Sequence, residues 1–458
     1  MHIAMLSPIA WRTPPRKYGP WENIVSLLTE GLIKQGVEVT LFATGDSITK
    51  GHLRSVCQNG YEEDKSVNPK VLESLHIASL FESGDEFDLI HNHFDFLPLT
   101  YSQMTTTPLL TTIHGFSSST IFPVYEKYNK RSNYISISDA NRAPSLDYLA
   151  TVHHGIDLEQ FTYCENGQGY LLFFGRIHND KGTREAIEIA LAAQIKLLIV
   201  GLVQDQDYFN QFVEPKLQLG NIEFIDAVGP LERNTLLGGA LALLHPIQFD
   251  EPFGLSVIEA MACGTPVIAF NRGSMPELIK HGETGFLVND VDTAVVAVRK
   301  IKQIDRMACR EHIVEHFSVD RMVENYLKVY QQLATPKEAQ SLRPWGFYTI
   351  LADRPYFKAK EIVVFQGKRL SLQRHTQRDE HWLVINGTAE VTLGTKHLLL
   401  QPGQSIDIPR NMLHRVANPS ASVRLKFVEI QTGEYFGEDD IERLEDDYGR
   451  VNECLKLV

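Results

Sequence analysis

Two glutamates eight positions apart, Glu251 and Glu259, bracket the run Glu251-Pro252-Phe253-Gly254-Leu255 and the amphipathic stretch that follows it. Pro252 and Gly254 precede a helix, so free backbone N–H groups around Gly254 and Leu255 point out of its N-terminus, where a diphosphate can bind. Glu251 falls in the loop before that helix and Glu259 about a turn inside it, so both can face one ligand at different depths. Upstream, Phe174-Gly175-Arg176 ends a strand and Lys181-Gly182 opens the next helix. Two cations at a strand–helix junction are what a pyrophosphate leaving group requires. An acidic loop and a solvated helix face are the plainer explanation of the glutamates, and the surrounding motif argues against it.

A second set of chemical residues lies near the C-terminus: His375, Glu380 and His381, then Gly387, Gly403, Pro409, His414 and Asn418. Adjacent strands of a small barrel can turn a His, a Glu and a distant His inward together, giving the mixed N/O set that suits zinc or another divalent ion. Three other features read as structural. His91-Asn92-His93 has metal-like spacing but stands at a strand end without Cys or acid partners, Glu277 lies near a helix start, and the basic and aromatic stretch 125–131 reads as a solvated helix face.

Up to about residue 330 the elements that position these groups alternate between short apolar runs and helical periodicity. Residues 3–6 read as a strand; Trp21, Ile24, Val25, Leu28 and Leu32 recur at helical spacing, Gly36 stops the helix and 37–43 is the next strand. Further strands are expected at 89–91, 109–113, 134–137 and 150–153. The alternation restarts with strands at 170–174, 196–201, 222–224, 241–245 and 266–270 and helices at 183–193, 208–219 and 255–263, closed by a helical tail at 292–333. Two such blocks imply two Rossmann-like domains with a ligand cleft between them. Residues 335–342 are polar and contain Pro336, as a linker should. Beyond them the period changes to two, with strands expected at 369–373, 381–385, 389–393, 397–400, 405–408 and 423–431, a small β-barrel or sandwich.

The chain has 458 residues, 43% hydrophobic and 22% charged, which is globular composition for two or three domains. Its formal charge is −13, and residues 335–458 carry 17 Lys+Arg against 17 Asp+Glu, so the whole excess sits on the preceding part. That balance argues against nucleic acid or an anionic membrane as partner. Five scattered cysteines without a CxxC suggest neither a disulfide framework nor a zinc knuckle. The first residues lack the basic and apolar regions of a signal peptide, and no run of ~18 apolar residues occurs, so a cytoplasmic protein is expected.

The acidic pair and the cations, with Thr111-Thr112-Ile113-His114-Gly115, Gly155-Ile156-Asp157 and Gly273-Ser274-Met275-Pro276-Glu277, resemble glycosyltransferase family four, the retaining GT-B enzymes, over about residues 1–333. The resemblance implies that Arg176 and Lys181 hold the diphosphate of a nucleotide sugar on Gly254 and Leu255, that Glu259 binds the ribose hydroxyls, and that Glu251 and His114 meet the hexose. It implies no metal for the transferase, because cations and a helix end neutralise the leaving group. One departure concerns the first strand–helix loop, where the family has a Gly-Gly pair and this chain has Tyr18-Gly19-Pro20-Trp21-Glu22; Pro20 offers no N–H.

The later residues, with Arg343-Pro344-Trp345-Gly346, Ser371-Leu372-Gln373, Asn418-Pro419 and Tyr448-Gly449-Arg450, resemble the cupin domain of type II mannose-6-phosphate isomerases. That resemblance implies interconversion of fructose 6-phosphate and mannose 6-phosphate, with a divalent metal on His375, Glu380, His414 and Gln373, and with Arg443 and Arg450 for the phosphate or an enediolate. A cupin His-x-His would place a histidine at 377, where the chain has Gln377; alternation puts His381 on the face opposite Glu380.

The expected architecture is therefore an α/β GT-B pair followed by an all-β cupin barrel: residues 1–160 for the acceptor domain, 161–334 for the sugar nucleotide, 335–342 as linker and 343–458 as cupin. The expected activity is bifunctional, with a sugar nucleotide, GDP-mannose favoured, and a sugar phosphate as small-molecule partners, an unknown glycosyl acceptor, and a homodimer through the cupin among the assemblies. The alternatives are a UDP-sugar-dependent transferase with a non-catalytic, sugar-phosphate-sensing cupin, and a carbohydrate-responsive binding protein.

Overall fold

The short apolar runs become parallel strands. β1 (His2–Leu6), β2 (Glu38–Phe42), β3 (His52–Arg54), β4 (Leu89–Asn92), β5 (Leu109–Ile113), β6 (Asn133–Ser136) and β7 (Tyr148–Thr151) form a sheet in the order β3-β2-β1-β4-β5-β6-β7. β8 (Leu171–Phe174), β9 (Leu197–Val200), β10 (Ile222–Ile225), β11 (Ala242–His245), β12 (Val267–Phe270) and β13 (Gly285–Val288) form another, in the order β10-β9-β8-β11-β12-β13. The interior strands are buried on both faces, as parallel strands under crossover helices must be, and the edge strands β3, β7 and β10 are partly exposed. In each sheet the order reverses beside the first strand, between β1 and β4 and between β8 and β11, which opens a crevice at the carboxyl ends. These are two Rossmann-like domains.

The computed structural model describes residues 1–16, 19–116, 118–333 and 343–449, and the chain divides into two compact units, 1–334 and 335–458. The expected linker and Arg450 lie outside the described residues. The last helix of the first unit, Val319–Leu333, returns to the first sheet: Met322, Val323, Tyr326, Val329 and Tyr330 join Ile3, Val25, Leu28 and Leu32 in one apolar cluster. Gly31 of the helix Pro20–Lys34 permits this approach, since a Cβ there would stand 2.5 Å from Val323 Cγ2. Each such fully buried apolar side chain contributes about 1.5–3 kcal/mol.

Three sequence readings need correction. The helix expected at 208–219 is broken into Gln206–Tyr208, a wider turn at Phe209–Val213 and Glu214–Leu217, because Pro215 has no N–H for the regular ladder. The stretch 125–131 is a solvated face only in part: Glu126, Lys127, Lys130 and Arg131 are exposed, but Tyr125 is fully buried, and the Arg131 guanidinium donates to the carbonyls of Ser102 and Thr105. The period-two reading also missed an antiparallel hairpin, β14 (Gly346–Arg354) with β15 (Phe357–Val364), whose mixed polar sequence hides its alternation.

In the second unit β16 (Leu372–His375), β17 (Arg378–Asn386), β18 (Ala389–Leu393), β19 (Lys396–Leu400), β20 (Ser405–Ile408), β21 (His414–Ala417), β22 (Leu425–Gly433) and β23 (Ile441–Glu445) complete two antiparallel sheets, β14-β15-β22-β17-β20 and β19-β18-β21-β16-β23. Trp345, Ile362, Trp382, Val384 and Phe427 meet Val391 and Val416 in the core between them. Along β17, Arg378, Glu380, Trp382 and Val384 all turn inward. This is the cupin-type β domain. Among the described residues no helix is long and apolar enough to cross a membrane.

Two glycines test how tightly the loop that carries Glu251 is packed. Gly273, at φ +54°, would place a Cβ 2.4 Å from the backbone of Glu251, whereas Gly220, at φ +74°, has open space around it. Gly220→Ala is expected to cost about 1 kcal/mol from backbone strain alone. Gly273→Ala is expected to cost more than about 2 kcal/mol, measured by denaturant unfolding; equal costs would show that the loop yields.

Candidate donor site and metal centre

The candidate donor site of the first unit lies at the ends of β8 and β11. Arg176 follows β8 and donates to the side chain of Gln204. Lys181 ends a short turn and reaches across to Glu251, Nζ to Oε2 2.5 Å, with both side chains mostly buried and Lys181 lying over the Phe249 ring. Gly182 can pass under this loop only because it lacks a Cβ, which would fall 1.9 Å from the Pro246 carbonyl oxygen. His245, at the end of β11, places Nε2 3.8 Å from Glu251 Oε2. Burial pushes that imidazole down to about 4, so it stays neutral. Gly254, left-handed at φ 106°, caps the helix Leu255–Ala262 and leaves its first N–H groups open. Inside that helix Glu259 is buried, and its Oε1 accepts from Arg233 at 3.2 Å. Burial holds the Glu259 carboxyl above its ordinary value, and Arg233 offsets this only in part.

Lys181 and Glu251, expected to meet different parts of a ligand, thus meet each other. The pair holds the ammonium in place beside the loop that carries Gly254.

Across the cleft the loops of the first sheet close on this one. Ser138 donates to the Pro252 carbonyl at 2.7 Å, and a Cβ on Gly115 would touch the Pro252 ring at 3.0 Å. Glu277 accepts from the backbone N–H groups of Asp139 and Ala140 and pairs with His153 at 2.9 Å. Burial raises its carboxyl, but His153 and the two amides outweigh that and hold it below the ordinary range. Glu277 is therefore a clasp between the two sheets. Pro20 stands at the first position of the helix Pro20–Lys34, where no N–H is needed, and Gly19 carries the φ of 147°. The departure from a Gly-Gly pair is thereby absorbed locally.

His114 follows β5 and stacks on Trp21, ring centroids 5.1 Å apart. Both its ring nitrogens are engaged, Nε2 with His93 Nδ1 at 2.9 Å and Nδ1 with His154 Nε2 at 3.3 Å. It therefore reaches a sugar only if one of these partners yields. His91 and His93 are buried in the same file, as their reading as packing residues anticipates.

In the second unit, His375, Glu380 and His414 bring one ligand atom each within 4.8 Å of the others, all buried. Strand pairing explains the convergence: Gln373 of β16 lies opposite His414 of β21 and opposite Arg443 of β23. His375 Nε2 is 3.1 Å from Glu380 Oε1, and His414 Nε2 is 3.6 Å from Glu380 Oε2. His414 Nδ1 bonds the Met412 carbonyl at 2.8 Å, which puts its proton there and leaves the Nε2 lone pair buried without a hydrogen-bond partner. A lone pair facing a carboxylate in a dry interior is unfavourable unless a cation stands between them. The residues fit a divalent ion, with Gln373, whose amide is 3.4 Å from His375 Nε2, beside them.

Residue 377 is not part of this set. β16 ends at His375, so Gln377 is exposed in the following turn, and the inward pair is Gln373 with His375. His381 points outward to Asp407, as alternation requires. Sequence reasoning missed the groups that complete the site. Trp382 Nε1 donates to Glu380 and Glu429, Gln431 donates to the same two carboxylates, and Lys360 Nζ is 3.7 Å from Glu429. Period two along β17 and β22 was the available signal. Lys360, Gln373, Arg378, Glu380, Glu429 and Arg443 line one polar cavity.

Comparison with known proteins places both units. Residues 159–312 match the family model of glycosyl transferases group 1, and residues 331–446 that of the mannose-6-phosphate isomerase C-terminal domain. The alginate biosynthesis protein AlgA of Pseudomonas aeruginosa is 40% identical over 179 residues, which cover 39% of this chain and 36% of that protein. The chain thus spans about a third of that relative's length. The fold of the first unit is shared with the sucrose-phosphate synthase of Thermosynechococcus elongatus, at TM-score 0.60 and 21% identity over 73% of this chain and 99% of the other. It is shared also with Anabaena HepE, solved in complex with UDP, at TM-score 0.55 and 18% identity over 72% of this chain and 100% of that one. The chain is accordingly similar to group 1 glycosyl transferases over residues 159–312, within a first unit of GT-B fold, and to the mannose-6-phosphate isomerase C-terminal domain over residues 331–446.

Proposed function

We propose that this chain is a bifunctional carbohydrate enzyme, which transfers a hexosyl group, mannosyl in the favoured form, from a nucleotide sugar with retention and interconverts fructose 6-phosphate and mannose 6-phosphate. The observation that carries the reading is the intact buried set His375, Glu380 and His414, of which Glu380 lines a polar cavity, which a degenerate sensor would have no need to keep. Mannose 6-phosphate is a chemical precursor of a mannosyl donor, so the two activities belong to one supply line.

In the transferase, Arg176 and Lys181 hold the diphosphate against the N–H groups of Gly254 and Leu255, Glu259 takes the ribose hydroxyls, and Glu251 meets the hexose. The departing phosphate oxygen accepts the proton of the attacking hydroxyl on the same face of the sugar. In the second domain His375, Glu380, His414 and Gln373 would hold the metal, which when bound polarises the sugar's carbonyl or hydroxyl oxygen. Arg443, and Arg450 beyond the described residues, bind the phosphate or the enediolate. The glycosyl acceptor is left open, and the UDP seen in HepE favours one second reading, a UDP-sugar donor.

GDP-mannose at about 100 times its Kd should stabilise the chain by about 2.7 kcal/mol, read as a raised melting temperature, and Glu259→Ala should remove the effect. Stabilisation by UDP-sugars alone would establish the second reading. For the isomerase, removing metal with a chelator should abolish conversion of fructose 6-phosphate, and His414→Ala should lower it at least about 100-fold. Full conversion by chelated protein would refute the metal assignment.

A further inference from the structure

Four buried histidines form a single hydrogen-bonded file. His91 Nδ1 is 2.7 Å from the Tyr330 hydroxyl and His91 Nε2 is 2.8 Å from Thr112 Oγ1, which is 2.8 Å from the Tyr326 hydroxyl. His93 Nε2 lies 3.3 Å from His91 Nδ1, His93 Nδ1 2.9 Å from His114 Nε2, and His114 Nδ1 3.3 Å from His154 Nε2. His154 Nδ1 is buried with no partner. The file crosses from the final helix through the ends of β4 and β5 to the loop after β7, where the His154 ring meets Phe253 of the donor loop edge-on at 4.9 Å.

Burial lowers all four imidazoles well below their ordinary value, so each is neutral and carries one N–H. A neutral ring cannot donate at both nitrogens, so the rings share one direction.

Two arrangements are open. With every proton on Nε2, His154 donates to His114, His114 to His93, His93 to His91, and Tyr330 also donates to His91; one hydroxyl proton at Thr112 and Tyr326 is left over. With every proton on Nδ1, the His154 N–H and the Tyr330 O–H are both buried donors without acceptors among the described residues, and the His91 proton must serve two acceptors. Buried orphan donors are the rarer and costlier case.

We propose that His91, His93 and Tyr330 are positioning residues that fix the protons of His114 and His154 on Nε2, so that the one acceptor of the file left without a donor, His154 Nδ1 on the ring that meets Phe253, is held for a hydroxyl of the donor hexose. The assignment rests on the reading of this cleft as a nucleotide-sugar site. It predicts a site that selects for a sugar hydroxyl able to donate.

Long-range nitrogen–proton NMR of the histidine side chains reads the tautomers directly, and calorimetry with GDP-mannose and UDP-glucose reads donor binding. His114 is expected to be protonated on Nε2 in the wild type. His93→Phe, which removes the acceptor of that N–H, should mix the two tautomers and weaken donor binding about 10-fold, while His93→Asn, whose amide oxygen accepts, should restore both. Melting temperatures check that the variants are folded. A wild type that binds no nucleotide sugar overturns the donor-site reading and this assignment with it. A wild type that binds, with His114 protonated on Nδ1 or with His93→Phe binding equally well, overturns the assignment alone.

Discussion

A carboxylate out of water is tolerated only beside a cation or a fan of N–H donors, and both units are arranged around that requirement. Glu251 has Lys181, Glu259 has Arg233, and Glu277 has His153 with two backbone amides. The Glu277 pair ties the loops of the two sheets together, and the other two pairs join neighbouring segments of the second sheet's domain. Removing one partner of such a pair leaves an uncompensated buried charge, typically worth about 3–5 kcal/mol. The site and the fold are therefore not separable here.

In the second domain the same requirement is met differently. Glu380 accepts from Trp382 and Gln431 and faces Arg378, yet it also faces two imidazoles, one of which turns a lone pair toward it. Glu429 sits beside it on the same donors and is pushed up to about 7, first by burial and then by Glu380. Arg378 and Lys360 face these two carboxylates, but the two histidines drawn against Glu380 form a donor set that a divalent ion would complete. The −13 of the whole chain gave no hint of this, because the excess charge lies entirely before residue 335.

Much of this was legible in the residues themselves. The Rossmann-like alternation, the Gly254 helix cap, Glu251 with Glu259, and Arg176 with Lys181 are local patterns, and the family resemblance rested on them. What could not be read was set by distant pairing. Tyr330 meets His91 across 239 positions, and Gln373 meets His414 only because β16 stops at His375 and pairs with β21. The cupin resemblance put weight on Gln377, which the end of that strand turns out to solvent. Glu22, buried at the start of the first long helix and raised to about 7 by that burial, likewise shows nothing in the sequence that separates it from a surface glutamate.

The most direct test of the chemistry assigned to the second domain is the metal content of the full chain, counted by native mass spectrometry alongside a Glu380→Gln variant. About one divalent ion per chain is expected in the wild type and none in the variant. A wild-type chain that carries no ion after purification with zinc, manganese or cobalt supplied, and still binds fructose 6-phosphate, would contradict it.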